Sequence, residues 1–210
     1  MLIFAAILAT FIYGMIAAML GTILPELSDR FQLTPRQNGT IALAQAIGLI
    51  VASLAVGPLL DDEGKKAGLI LGLAFISLAL FVLPRSPGFS SIVVLLFFLG
   101  VGGGIVVTGA NALISDVGEA HRATTLNMVN LFFGLGGLAT PFVSAHLFNR
   151  NWVRLCYSVA CLTVITLAVQ AMTHMPPPAG AGRFILADAG PVLGRPLLFL
   201  LGFLDRKSVV

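Results

Sequence analysis

GPLLDDEGKK, residues 57–66, places three acidic side chains and two lysines between two stretches that carry no charge, Asn38 to Leu60 before it and Ala67 to Pro84 after it. A lysine, arginine or aspartate at the centre of a membrane-crossing helix costs about 2.5–3.5 kcal/mol. A short charged cluster between two apolar runs therefore reads as a connector held at a membrane surface. Working outward, the alternation continues along the chain. Apolar runs at Leu2 to Leu24, Ser86 to Ser115, Ala123 to Asn149 and Leu155 to Arg183 are separated by PELSDRFQLTPR, RSPGFS, SDVGEAHR and NRNWVR. Trimmed of their flanks, the runs give six spans near the roughly 20 residues that a bilayer requires.

Composition agrees with an all-α membrane protein. Of 210 residues, 58% are hydrophobic and 10% charged, and the mean hydropathy is +1.00; soluble domains carry about 25% charged residues. The net charge of +3 is spread over connectors and forms no basic stripe, which argues against nucleic acid as a partner. Cys156 and Cys161 fall inside one apolar run, where they act as small hydrophobes. His121, His146 and His174 have no metal-ligand spacing, and no serine, histidine and acid grouping is apparent, so neither a metal, a cofactor nor enzymatic chemistry is expected. The first run lacks a basic flank and is too long for a signal peptide, so it reads as a retained helix. Asn38-Gly-Thr matches a glycosylation sequon but abuts the membrane and reads as chance.

Residues 1–174 are thus expected to form a six-helix unit. MPPPAGAGRFILADAGPVLGRP (175–196) follows as a proline- and glycine-rich loop, and Leu197 to Leu204 as the start of a truncated seventh helix. The terminal DRKSVV (205–210) resembles the in-frame translation of a common sequencing adapter, and is expected to be foreign to the gene.

Internal repetition organises the spans. A shift of 86 positions sets Phe11 on Phe97, Gly14 on Gly100, Arg36 on Arg122 and Gly48 on Gly134, and lays the first three spans over the second three. Three is an odd number of crossings, so a copied triplet enters the membrane from the opposite side. The expected architecture is a bundle of two inverted three-helix repeats.

The 57–66 stretch resembles the signature between the second and third helices of the major facilitator superfamily: glycine, three residues, aspartate, a basic residue, any residue, glycine and two basic residues. Gly57, Asp61, Gly64, Lys65 and Lys66 fit, while Asp62 stands where the family prefers arginine or lysine. The resemblance implies a conformational latch on the cytoplasmic side, with Gly57 permitting close helix approach and Asp61 offering a carboxylate at a helix end. It also implies an amino-terminal half whose native partner is a second six-helix half, in the inner membrane of a bacterium. Orientation rests on the resemblance, because the arginines and lysines divide evenly between the two sides. Asn111 in a glycine-rich fourth span, followed by Arg122, LN and FGLGGLATP, is similar to the fucose and glucose symporter branch.

Uncharged polar side chains within the spans are the candidate solute ligands, because buried polar groups are costly without partners or a wet cavity. Tyr13, Gln45, Asn111, Asn127 and Asn130 qualify, with Thr108 beside them. Amides and a phenol suit a neutral polyhydroxylated solute such as a sugar, and the same groups would also serve as interhelical hydrogen bonds. No carboxylate lies deep in these spans, so an acid for a coupling proton would sit in the second half. The fourth span holds no arginine, unlike the usual drug and proton antiporters. A non-transporting scaffold or regulator on the same fold, or an exporter of another small molecule, are the alternatives. GLGGLA also fits a loose dinucleotide fingerprint, but no strand precedes it.

Overall fold

The computed structural model describes residues 2–115 and 119–175. The loop 176–196, the seventh-helix start at 197–204 and the stretch 205–210 lie outside the described residues, as do the side chains of 115–122. Among the described residues, six helices long and apolar enough to cross a membrane follow one another: α1 (Leu2–Phe31), α2 (Pro35–Asp62), α3 (Lys65–Val82), α4 (Phe89–Ser115), α5 (Glu119–His146) and α6 (Trp152–Met172). A 3-10 turn at Leu83–Arg85 closes α3.

The helices reach further into the connectors than charge alone indicates. α1 continues past Leu24, through Pro25 and the acidic PELSDR, to Phe31. Once a helix leaves the hydrocarbon, charged residues no longer oppose it, and one proline removes only one backbone donor. Gln32, at φ 51°, then adopts the left-handed cap conformation that returns Leu33 N to Ser28 O at 2.9 Å. Thr34 opens α2 with a reciprocal capping box: its Oγ1 accepts from Gln37 N, and Gln37 Oε1 accepts from Thr34 N. Thr34→Ala is expected to cost about 1 kcal/mol, read as a lowered thermal midpoint in detergent micelles. Asn38 of the sequon lies inside α2 and donates to Ser28 Oγ. DDEGKK contracts to a turn in which only Glu63 and Gly64 are non-helical, and Gly64 has φ 88°.

Packing follows the repeat. α1 rests mainly on α5 and α2 mainly on α4, the two pairs that an inverted three-helix repeat interchanges. Both crossings are backbone against backbone. A Cβ on Gly14 would meet the carbonyl of Phe133, and one on Gly136 the carbonyl of Phe11. In the second pair, Gly100 meets the carbonyl of Gln45, and Gly48 that of Phe97. The equivalences Phe11 to Phe97 and Gly14 to Gly100 keep the 86-residue shift. Gly48, however, corresponds to Gly136 rather than Gly134, where a Cβ would have no neighbour within 4 Å. The shift that sets Arg36 on Arg122 and Gly48 on Gly134 therefore slips by two positions between α2 and α5.

The Gly100 to Gly104 stretch serves three neighbours within little more than one turn. Gly100 and Gly104 face α2, Gly102 faces Gly72 of α3, and Gly103 lies under the Tyr13 ring of α1. Small residues of this kind allow close approach where hydrophobic exclusion does not drive association. GLGGLA sits inside α5, and no strand occurs among the described residues.

The core gathers Ile12, Ile16 and Met19 of α1 with Leu69 and Leu73 of α3 and Leu155 of α6. Within their most apolar segments, α1 and α4 are 50% and 56% buried but α2 and α5 only 22% each. The latter two consequently present broad apolar faces, with Leu43, Ile50 and Leu54 on α2 and Leu131, Leu138 and Phe142 on α5 exposed.

Candidate solute recess

A recess of about 210 Å³ opens between α1, α2 and α4, lined by Tyr13, Ile16, Leu20, Gln45 and Leu49 with Gly103 at its floor. Its position follows from the two glycine crossings. The Gln45 carbonyl lies against Gly100, which fixes the residue beside α4, while Gly103 makes room for the Tyr13 ring, whose Cε2 would be 3.0 Å from a Cβ there. Tyr13 also meets Phe133 of α5, with ring centroids 5.3 Å apart at 32°.

Gln45 is half-buried, and its Oε1 is fully enclosed with no hydrogen-bond partner. Leaving such a group unpaired costs about 1–3 kcal/mol. The repeat sharpens the point. Phe133 occupies, against Gly14, the place that Gln45 occupies against Gly100. At the first crossing Phe133 sets its ring at a tilt against Tyr13, whereas the corresponding place on α2 holds an amide whose oxygen has no partner among the described residues. Among the described residues, no acid, lysine, arginine or histidine lines the recess.

Of the residues singled out from sequence, Tyr13 and Gln45 come together here. Asn111 on α4 and Asn127 and Asn130 on α5 are exposed and lie outside the recess, and Thr108 is half-buried outside it as well. Around the 57–66 stretch, Asp61 and Asp62 are exposed and Lys65 and Lys66 half-buried. A Cβ on Gly57 would meet nothing within 4 Å, so no close approach occurs at this glycine among the described residues. The tight α2–α3 contact falls instead at Gly68, which faces the Leu60 side chain.

Two polar residues that hold the bundle lacked a clear sequence signal. Gln170 of α6 is fully buried and donates through Nε2 to Ala5 O at 2.7 Å, while its Oε1 has no partner. Thr140 of α5 donates to Met15 O at 2.9 Å. The only hint for Gln170 is a lone amide near the end of an apolar run. Glu26 of α1 accepts from Trp152 N at 3.0 Å and so caps α6 from across the bundle.

Six apolar helices in two inverted triplets around a mid-bundle recess define an integral, multi-pass membrane protein of transporter architecture. Residues 6–204 match the sequence model of the Major Facilitator Superfamily, and the chain belongs to that family, one of transporters rather than enzymes. It is similar to the 4-hydroxybenzoate transporter PcaK of Pseudomonas aeruginosa, 27% identical over 80% of this chain and 38% of the relative. It is similar as well to a glucose/galactose transporter of Brucella abortus, 26% identical over 85% of this chain and 47% of the relative. The niacin transporter NiaP of Acinetobacter baylyi is 29% identical over 62% of this chain and 29% of that protein. The chain thus spans less than half the length of these curated relatives.

Proposed function

We propose that this six-helix unit forms one wall of an alternating-access pathway for a small uncharged solute with a ring and at least one hydrogen-bond donor. The observation that carries the reading is the enclosed Gln45 Oε1, which faces no protein donor beside a recess walled by Tyr13. Once the Gln45 side chain turns its oxygen toward the recess, a hydroxyl or N–H of the solute would satisfy the amide, and the aromatic ring offers a flat apolar surface. The lack of an acid or base in the recess favours an uncharged group at this wall. A sugar, as in the fucose and glucose symporter branch, meets these requirements. Relatives named for 4-hydroxybenzoate, niacin and glucose or galactose support a ring-bearing solute; the first two carry a carboxylate at neutral pH, so only the sugar meets the uncharged requirement of this wall.

In this reading the second six-helix half completes the cavity and supplies any acid for proton coupling. The turn at Glu63–Gly64 lies on the cytoplasmic side of a bacterial inner membrane, and residues 175–196 link the two halves. Gly57, Asp61, Gly64, Lys65 and Lys66 contribute the latch, with Gly57 facing the second half. Asn111, Asn127 and Asn130, exposed in this unit, face the completed pathway.

Uptake of labelled glucose, 4-hydroxybenzoate and nicotinate by cells expressing the full-length transporter tests the assignment. Gln45→Leu is expected to lower uptake of the accepted solute at least about tenfold, the equivalent of about 1.4 kcal/mol. Membrane abundance should hold, because the change removes an unpaired buried group. Unchanged uptake would remove Gln45 from the site.

A further inference from the structure

A second recess, of about 370 Å³, lies at the α3–α4 corner and is lined by Val82, Arg85, Ser86, Ser90, Ser91 and Val94 among others. Three independent features there favour an anion. Ser86 is 7% exposed, and its Oγ is enclosed without a hydrogen-bond partner. α4 is a 27-residue helix whose first turn forms the same wall. Its earliest backbone bond runs from Ile92 N to Gly88 O at 3.2 Å, which leaves the amides of Ser90 and Ser91 unclaimed by the helix. Such a terminus carries partial positive charge and open donors.

The third feature is Arg85, held in place before any ligand arrives. Its Nη1 donates to Phe81 O at 3.0 Å and to Tyr157 Oη at 2.6 Å. Its guanidinium carbon lies 5.6 Å from the Phe81 ring centroid and 5.3 Å from that of Tyr157. Those contacts use one nitrogen and leave Nε and Nη2 as donors, in the fork geometry that suits two oxygens of a phosphate. Among the described residues, no carboxylate lines the recess.

We propose that this corner binds the phosphate of an anionic phospholipid headgroup. Arg85 neutralises the phosphate, the Ser90 and Ser91 amides and hydroxyls bind its oxygens, and Ser86 Oγ gains the partner it lacks. The phosphate comes from lipid rather than solution because the recess continues onto apolar surface. Val82 and Val94, 40% and 52% exposed, lie beside it on the outside of the bundle, where an acyl chain can run. The corner is also a helix end, the level at which headgroups sit. A charge-assisted hydrogen bond makes each main contact worth roughly tenfold in retention.

Native mass spectrometry of the chain in detergent micelles, titrated with phosphatidylglycerol and with a phosphate-free diacylglycerol of matched acyl chains, reads the site directly. The unaltered chain is expected to retain phosphatidylglycerol about tenfold more tightly. Arg85→Gln and Ser86→Ala should each remove most of that preference, and Arg85→Lys should restore part of it. Ser86→Ala removes a buried hydroxyl that has no protein partner, so it should fold as well as the unaltered chain and stays informative if Arg85→Gln does not fold. Equal retention of the two lipids, or a preference unchanged in Ser86→Ala, would overturn the proposal. Inorganic phosphate is the remaining arm: no displacement of lipid at millimolar concentration is expected, and displacement at concentrations equal to the lipid would overturn the lipid assignment in favour of the free anion.

Discussion

Replacing Gly136 with alanine is expected to cost the six-helix unit about 1–3 kcal/mol. Replacing Gly134, two positions earlier on the same helix, should stabilise it by up to about 1 kcal/mol. The opposite signs follow from what lies outside each Cα. At Gly136 a Cβ meets the carbonyl of Phe11, which no rotamer change can move aside, whereas at Gly134 it meets nothing within 4 Å. Alanine elsewhere in a helix is favoured over glycine because it restricts the unfolded chain. Thermal unfolding of both variants in detergent micelles, followed by circular dichroism, makes the comparison. The reverse order would place Gly134 in the crossing and restore the unbroken 86-residue shift. Gly48, which meets the carbonyl of Phe97 on the other side of the repeat, should behave like Gly136.

A second pair of substitutions separates two glycines that a single motif places together. Gly64→Ala should destabilise the unit by about 1–3 kcal/mol, since φ 88° with ψ 157° is a conformation open almost only to glycine. The α2–α3 turn has no slack to absorb the change, because only Glu63 lies between Gly64 and the end of α2. Gly57→Ala, inside α2 where a Cβ would crowd only the adjacent Pro58 ring, should cost clearly less than Gly64→Ala in the same unfolding assay. A loss of stability at Gly57 comparable to that at Gly64 would mean that it contacts another part of the six-helix unit.

Hydropathy made the six crossings legible because the cost of a charge in hydrocarbon acts residue by residue and needs no tertiary information. It could not place helix ends. α1 stays helical through Pro25, Glu26 and Asp29, since a helix emerging from the bilayer tolerates polar residues. Sidedness was hidden for a related reason. These helices are apolar on the faces turned to neighbours and on those turned outward, so the sequence pattern does not tell Gln45, enclosed in the recess, from Asn127 and Asn130, exposed on α5. The repeat was readable through Gly14 and Gly100, but the two-position slip between α2 and α5 appears only when the contacts of Gly48 and Gly136 are compared. Gln170 carried almost no signal because its partner, the carbonyl of Ala5, is a backbone atom that any residue supplies.

The glycine crossings also constrain how such a unit could deform. Where one main chain bears directly on another, there is no intervening side chain to swivel, shorten or interleave differently, so α1 with α5 and α2 with α4 behave as two welded struts. Flexing has to be concentrated along the seam between them, where Tyr13 and Gln45 line one recess with Gly100 and Gly103 of α4. A molecule lodged in that seam would act as a wedge, and its size would set the angle at which the struts come to rest.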